Sequence, residues 1–157
     1  MDQTFKAFTL NYDKCAKFLQ TQCTVTKGTS SQLVKPSEQK TIKAIWDTGA
    51  EMSAISQYVV QKLGLIPVGK AKNYTAGGMV NVDIFVISIK LPSNIEFSMI
   101  PVTGNDLGDT DMLIGMDIIS KGDFAITNVD GKTTFSFQIP STETIDFVKN
   151  HSSNRLP

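Results

Sequence analysis

Cysteine and histidine are scarce in this 157-residue chain, with two of the first and one of the second. Cys15 and Cys23 pair only if the backbone turns between them, because an extended segment holds them well beyond bridging distance. Two reduced thiols are therefore expected, in keeping with a reducing, cytoplasmic compartment. His151, the sole histidine, stands in a polar tail, which gives a Cys-His or Ser-His nucleophilic pair little to stand on. Two cysteines and one distant histidine also lack ligand spacing, so neither a metal nor a cofactor is expected. An excess of either charge is missing too: Lys+Arg and Asp+Glu are both 15, and no basic stripe suggests a nucleic-acid surface. Peptides or small molecules remain as partners. Long apolar runs are absent, since residues 84–89 are far too few to span a bilayer and residues 1–11 lack the apolar core of a signal peptide. The expectation is a soluble protein with no membrane partner.

What is present reads as β structure in one domain, 1–157, whose core covers about 16–139 and whose polar C-terminal tail covers 140–157. Residues 1–14 read as a short strand or extended arm, and 16–26 as a strand through Phe18, Thr24 and Val25. A polar loop over 27–39 leads to a strand over 40–46, forming a hairpin with a long connection. Ser56 caps a short helix with Val59, Val60 and Leu63 as its apolar stripe, Lys62 in its last turn and Gly64 as its stop. Residues 69–74, the tip Thr75-Ala76-Gly77-Gly78 and a run from 79 to 91 form a protruding hairpin, and 83–91 is apolar on both faces, as a central strand would be. Strands over 95–102 and 111–114 flank a loop at 103–110, and Asp117 is expected to cap a helical turn over 117–121 closed by Gly122. Asp130-Gly131 turns strands 124–128 and 133–139, which leaves a possible helix at 142–149 and a frayed end.

The stretch that organises the rest is Trp46-Asp47-Thr48-Gly49-Ala50-Glu51. The preceding strand delivers the Asp47 carboxylate at the end of a rigid element, which is how a catalytic acid is held. Thr48 adds a hydroxyl able to bond a facing loop, Gly49 a position without Cβ where backbones approach closely, and Ala50 keeps the next position small. Taken alone, these letters equally describe an ordinary strand end and turn. Gly77-Gly78 alone is most simply a tight turn, Asp111 and Asp117 turn or capping residues, and Met112 to Ile114 core.

The order of Asp-Thr-Gly-Ala, short helix, glycine-tipped hairpin and Leu113-Ile114-Gly115 resembles the retropepsins, the single-lobe aspartic proteases of retroviruses and retrotransposons, and their cellular or bacterial gag-polyprotein aspartyl protease relatives. The resemblance implies an all-β, closed β-barrel or sandwich with a flap hairpin and one or two short helices. It further implies that Asp47 is the catalytic aspartate, Thr48 the hydroxyl that locks two active-site loops together, and Gly49 and Ala50 the rest of that loop. Glu51, Thr75, Ala76, Gly77, Gly78 and Met79 then touch substrate, and Leu113, Ile114 and Gly115 support the catalytic loop. A hairpin arm of this kind reaches about 20 Å, enough to cross an extended peptide.

Hydrolysing a peptide bond through water needs a base and an acid, and this chain has one Asp-Thr-Gly; Asp109-Thr110-Asp111 lacks the glycine. The resemblance thus implies a homodimer acting on a polypeptide substrate, with Asp47 facing its symmetry mate. Glu51 stands where many viral members carry Asp, Met116 where they carry Arg, and Trp46 where an aliphatic is usual; Trp46 is expected to point into the core. Residues 135–139 are the candidate interface strand. The rival from another class is a dimerising peptide-binding clamp on the same fold with little turnover; a weaker one is a small barrel in which Asp47-Thr48-Gly49 is only a turn.

Overall fold

Alternation of inward and outward side chains builds the first strands. The computed structural model describes residues 4–28, 38–75 and 78–152. Strand β1 (Lys6–Asn11) is followed by β2 (Gln20–Lys27), which buries Thr21, Cys23 and Val25, and β3 (Gln39–Trp46), which buries Ile42, Ala44 and Trp46. β2 and β3 pair antiparallel from Gln20↔Ile45 to Thr26↔Gln39, the hairpin expected from the sequence. β2 starts later than the expected residue 16. The chain before it is pinned elsewhere: Ala16 N–H donates to Thr133 Oγ1 at 2.8 Å and Tyr12 N–H to Thr133 O at 2.8 Å, while Phe18 is exposed.

β4 (Ala54–Ser56) is fully buried and runs straight into helix α1 (Gln57–Leu63). Ser56 Oγ accepts the Val59 N–H, and Gly64 ends the helix in the left-handed region at φ 56°, as the cap residues predict. β5 (Gly69–Thr75) and β6 (Gly78–Leu91) form the hairpin, paired from Gly69↔Ile84 to Thr75↔Gly78. β6 also bonds β7 (Ile95–Asn105) and β2, so it is the central strand expected, with Phe85, Ile87, Ile89 and Leu91 buried. β7 continues to Asn105 instead of yielding to a loop at 103, because Thr103, Gly104 and Asn105 pair in parallel with β4.

β8 (Met112–Ile114) lies parallel to β3 and antiparallel to β4, and α2 (Met116–Ile119) follows at once. The strands β2, β3, β8, β4, β7 and β6 are consecutively bonded, and the β2–β6 ladder closes the ring. The fold is an all-β closed barrel with few short helices, and β5 hangs on its outside.

β9 (Asp123–Thr127) and β10 (Thr134–Ile139) form a second sheet with β1, in the order β1-β10-β9. Asp130 and Gly131 do adopt positive φ, 52° and 73°, but within a longer loop over 128–133. Thr133 is spent there as an anchor, donating to Asn128 Oδ1 at 2.6 Å. Residues 135–139 cannot serve as an interface edge. β10 is the middle strand, bonded on both sides, with Phe135 and Phe137 buried. The C-terminal helix α3 (Phe147–Ser152) begins later than expected, because residues 142 and 143 give their N–H groups to Asp123 and Asp146 Oδ1 accepts from Val148 and Lys149 instead.

One aromatic cluster joins the small sheet to the barrel. Trp46 meets Phe137 at 4.9 Å, Phe135 at 5.2 Å and Phe124 at 5.8 Å between ring centroids, and its indole N–H donates to Thr21 Oγ1 at 3.0 Å. The residue preceding Asp47 is thus held by packing on several sides, each large ring adding roughly 1.5–3 kcal/mol of burial.

Candidate active site

Asp47 occupies the first position after β3, and its backbone is tied down at once: Asp47 N–H donates to Ile114 O at 2.9 Å. Strand alternation sends Trp46 inward, 5% exposed, and leaves the Asp47 side chain half-buried at the barrel's end. Asp47 Oδ1 accepts the Gly49 N–H at 2.9 Å and Asp47 O accepts the Ala50 N–H at 3.2 Å, so the loop folds back around its own carboxylate. A Cβ at Gly49 would lie 3.2 Å from that oxygen, a tight approach that would make the carboxylate give by a few tenths of an ångström. Thr48 and Gly49 are exposed at the loop's crest.

The supporting residues come from β8 and α2. Met116 N–H donates to Ala50 O at 2.8 Å and Asp117 N–H to Glu51 O at 3.1 Å. The loop carbonyls therefore take up the free amides at the start of α2, and Gly115, its N-cap, makes no side-chain bond. Gly115 is a close-approach position in the strict sense, since a Cβ there would meet Met52 C at 2.7 Å and Ala50 O at 2.8 Å.

Asp117 does not cap a helix over 117–121. The helix begins at Met116, and Asp117 Oδ1 reaches across to Ser53, accepting its N–H at 2.9 Å and its hydroxyl at 2.8 Å. Buried Ser53 needs an acceptor for both donors, and Asp117 Oδ1 serves them both. Its Oγ in turn accepts the Gly115 N–H at 3.0 Å. Sequence reasoning missed this pair and missed β4. The only local signal was two short polar residues set among apolar ones, Ser53 before Ala54-Ile55 and Asp117 before Ile118-Ile119.

The structure therefore brings Asp47, Gly49, Ala50, Glu51, Ile114 and Gly115 together by direct hydrogen bonds or contact, with Leu113 beside them in the β3–β8 ladder. The side chains of Glu51 and Met116 are exposed. Thr75, Gly78 and Met79 lie in the β5–β6 hairpin, related to the loop through the β6–β7–β4–β8 sheet; Met79 is exposed, and Ala76 and Gly77 lie outside the described residues. Among the described residues no three His, Cys, Asp or Glu side chains gather as a metal-binding group, and no helix is long and apolar enough to cross a membrane.

Residues 37–121, more than half of the chain and spanning both the Asp47 loop and Gly115, match the family described as "gag-polyprotein putative aspartyl protease". The chain belongs to that family. Among solved structures it is similar to a retropepsin-like aspartic protease from Rickettsia conorii, with 18% identity over 86% of this chain and 95% of that one and a TM-score of 0.54. It is also similar to EIAV protease complexed with the inhibitor HBY-793 (17% identity, 66% and 86% covered, TM-score 0.49) and to the retroviral protease-like domain of Ddi1 from Leishmania major (14%, 77% and 95%, 0.46). No curated protein matches in sequence. The Rickettsia likeness bears on fold alone and identifies it as retropepsin-like; family and fold together mark an aspartic protease of the retropepsin type.

Proposed function

We propose that this chain is an aspartic endopeptidase that cuts polypeptides as a homodimer, with water activated between two Asp47 carboxylates. The carrying observation is the loop itself: a carboxylate with one oxygen held by Gly49 N–H, on a backbone anchored to Ile114, beneath an exposed Thr48-Gly49 crest. Such a loop holds one acid rigidly and leaves a surface for a second copy of itself. Two carboxylates in contact cannot both ionise, so they share a proton, as in aspartic proteases generally. The ionised member removes a proton from water as its oxygen adds to the peptide carbonyl carbon, and the protonated member donates to the carbonyl oxygen. The tetrahedral intermediate then collapses, the carbon–nitrogen bond breaks, and a proton passes to the leaving amine. The β5–β6 hairpin covers the extended peptide through the end where Thr75 pairs with Gly78, while Glu51 stands at the rim.

Asp47→Asn is the direct test. It is expected to abolish cleavage of a peptide library while leaving peptide binding and the fold intact; cleavage by that variant at the wild-type rate overturns the reading. A wild type that binds peptides without cutting them supports the clamp instead.

A further inference from the structure

We propose that Asp117 is a positioning residue for this reaction, acting through Ser53 on the loop that carries Asp47. The inference rests on the aspartic-protease reading of that loop.

Ser53 is wholly buried and joins three segments. Its N–H and hydroxyl both end on Asp117 Oδ1, its Oγ accepts from Gly115 N–H, and its carbonyl accepts from Thr103 N–H of β7 at 3.0 Å. Asp117 is the charged member of this network, and an anionic acceptor makes both bonds to Ser53 stronger than neutral ones would be. On the other side, α2 holds the loop by the Met116 and Asp117 amides that donate to Ala50 and Glu51. A helix of one turn with no side-chain cap is marginal by itself, so α2 needs external ties to keep those amides in place. Burial of Ile118 and Ile119 holds its apolar face, and the Asp117 carboxylate ties its first turn to Ser53. That carboxylate binds α2 to the far end of the 47–53 loop at Ser53, while the amides of α2 bind its middle, so the segment following Asp47 is clamped at two points by one helical turn. Met116 is exposed and offers no charge for this task.

Asp123 provides the comparison. It too is a carboxylate that accepts several hydrogen bonds, but it holds residues 141–143 to β9, not the catalytic loop.

The test uses the full chain with Asp117→Ala, Asp117→Asn, Ser53→Ala and Asp123→Ala, on a peptide that the wild type cleaves, together with amide exchange by mass spectrometry over 47–53 and 114–117. Asp117→Ala is expected to lower kcat per folded chain by about tenfold or more with KM nearly unchanged, since a misplaced group costs rate more than binding. Exchange in both segments should quicken. Asp117→Asn keeps an acceptor oxygen for Ser53 and should recover most of the rate, while Asp123→Ala should leave kcat where it was. Unchanged kcat per folded chain in Asp117→Ala, a loss confined to KM, or unchanged exchange at 47–53 overturns the proposal. Should Asp117→Ala not fold, Ser53→Ala, which removes the hydroxyl bond to Asp117 and the link to Gly115 but keeps the backbone bond to Asp117, is held to the same expectations in weaker form. A wild type without turnover sinks the protease reading and leaves the exchange comparison to decide the brace, faster exchange supporting it and unaltered exchange overturning it.

Discussion

Two backbones touch at Gly115, and the consequence is measurable. A methyl group there would press on Met52 C and Ala50 O at 2.7 and 2.8 Å, and neither is a side chain that can swing away. Gly115→Ala should cost about 1–3 kcal/mol, read as a lower urea midpoint, and should impair cleavage by displacing the Asp47 loop. An unaltered midpoint would show that the loop has room. The cysteines diverge for an equally local reason. Burial, with the Asp111 charge adding to it, pushes the Cys23 thiol from 9.0 up to about 12, while Cys15 is exposed. The folded state thus favours the neutral Cys23 thiol, a contribution present below pH 9 and lost as pH rises toward 12. Thiol titration at pH 8 should find one reactive group in the native protein and both in denaturant. Two fast native groups would contradict the buried placement of β2.

At the scale of elements, the C-terminal segment hangs on one residue of β9. Asp123 accepts from Ser141 Oγ, from Thr142 and Glu143 N–H at 2.8 Å each, and from Gln138 Nε2 at 2.7 Å, bonds that hold its carboxyl down at about 2 from 3.8. Because the folded form releases its proton more readily, this clasp is fully present above about pH 4 and weakens as pH falls toward 2. Its solvent exposure limits the effect to local detachment. Asp123→Ala at neutral pH should therefore speed amide exchange at residues 142 and 143 with little change in Tm; unchanged exchange would mean that something else holds the segment. Some elements carried their bounds in local chemistry. Ser56 and Gly64 mark α1 because a cap oxygen and a left-handed glycine act within a few residues. β4 had no such mark. Three buried residues gain strand geometry only from parallel β7 and antiparallel β8, both distant in sequence.

For the whole molecule, one Asp-Thr-Gly per chain makes proposed activity a property of pairs. Specific activity should fall on dilution and do so together with the dimer fraction seen by sedimentation. Activity per chain that holds constant while the protein becomes monomeric would refute the shared site. The edge available to a partner is not residues 135–139, since β10 is flanked by β1 and β9; in the small sheet, outer positions belong to those two strands.

The order of residues by itself determined the all-β class, the hairpin, helix α1 and the loop that carries Asp47, because alternation, caps and turn residues act over short distances. Only the tertiary structure decided that β2 meets β6 to close the barrel, that Trp46 anchors the small sheet, and that Asp117 answers Ser53 instead of capping its own helix. Each of those depends on which distant groups are buried together. A buried donor takes the nearest acceptor in space, whatever its place along the chain.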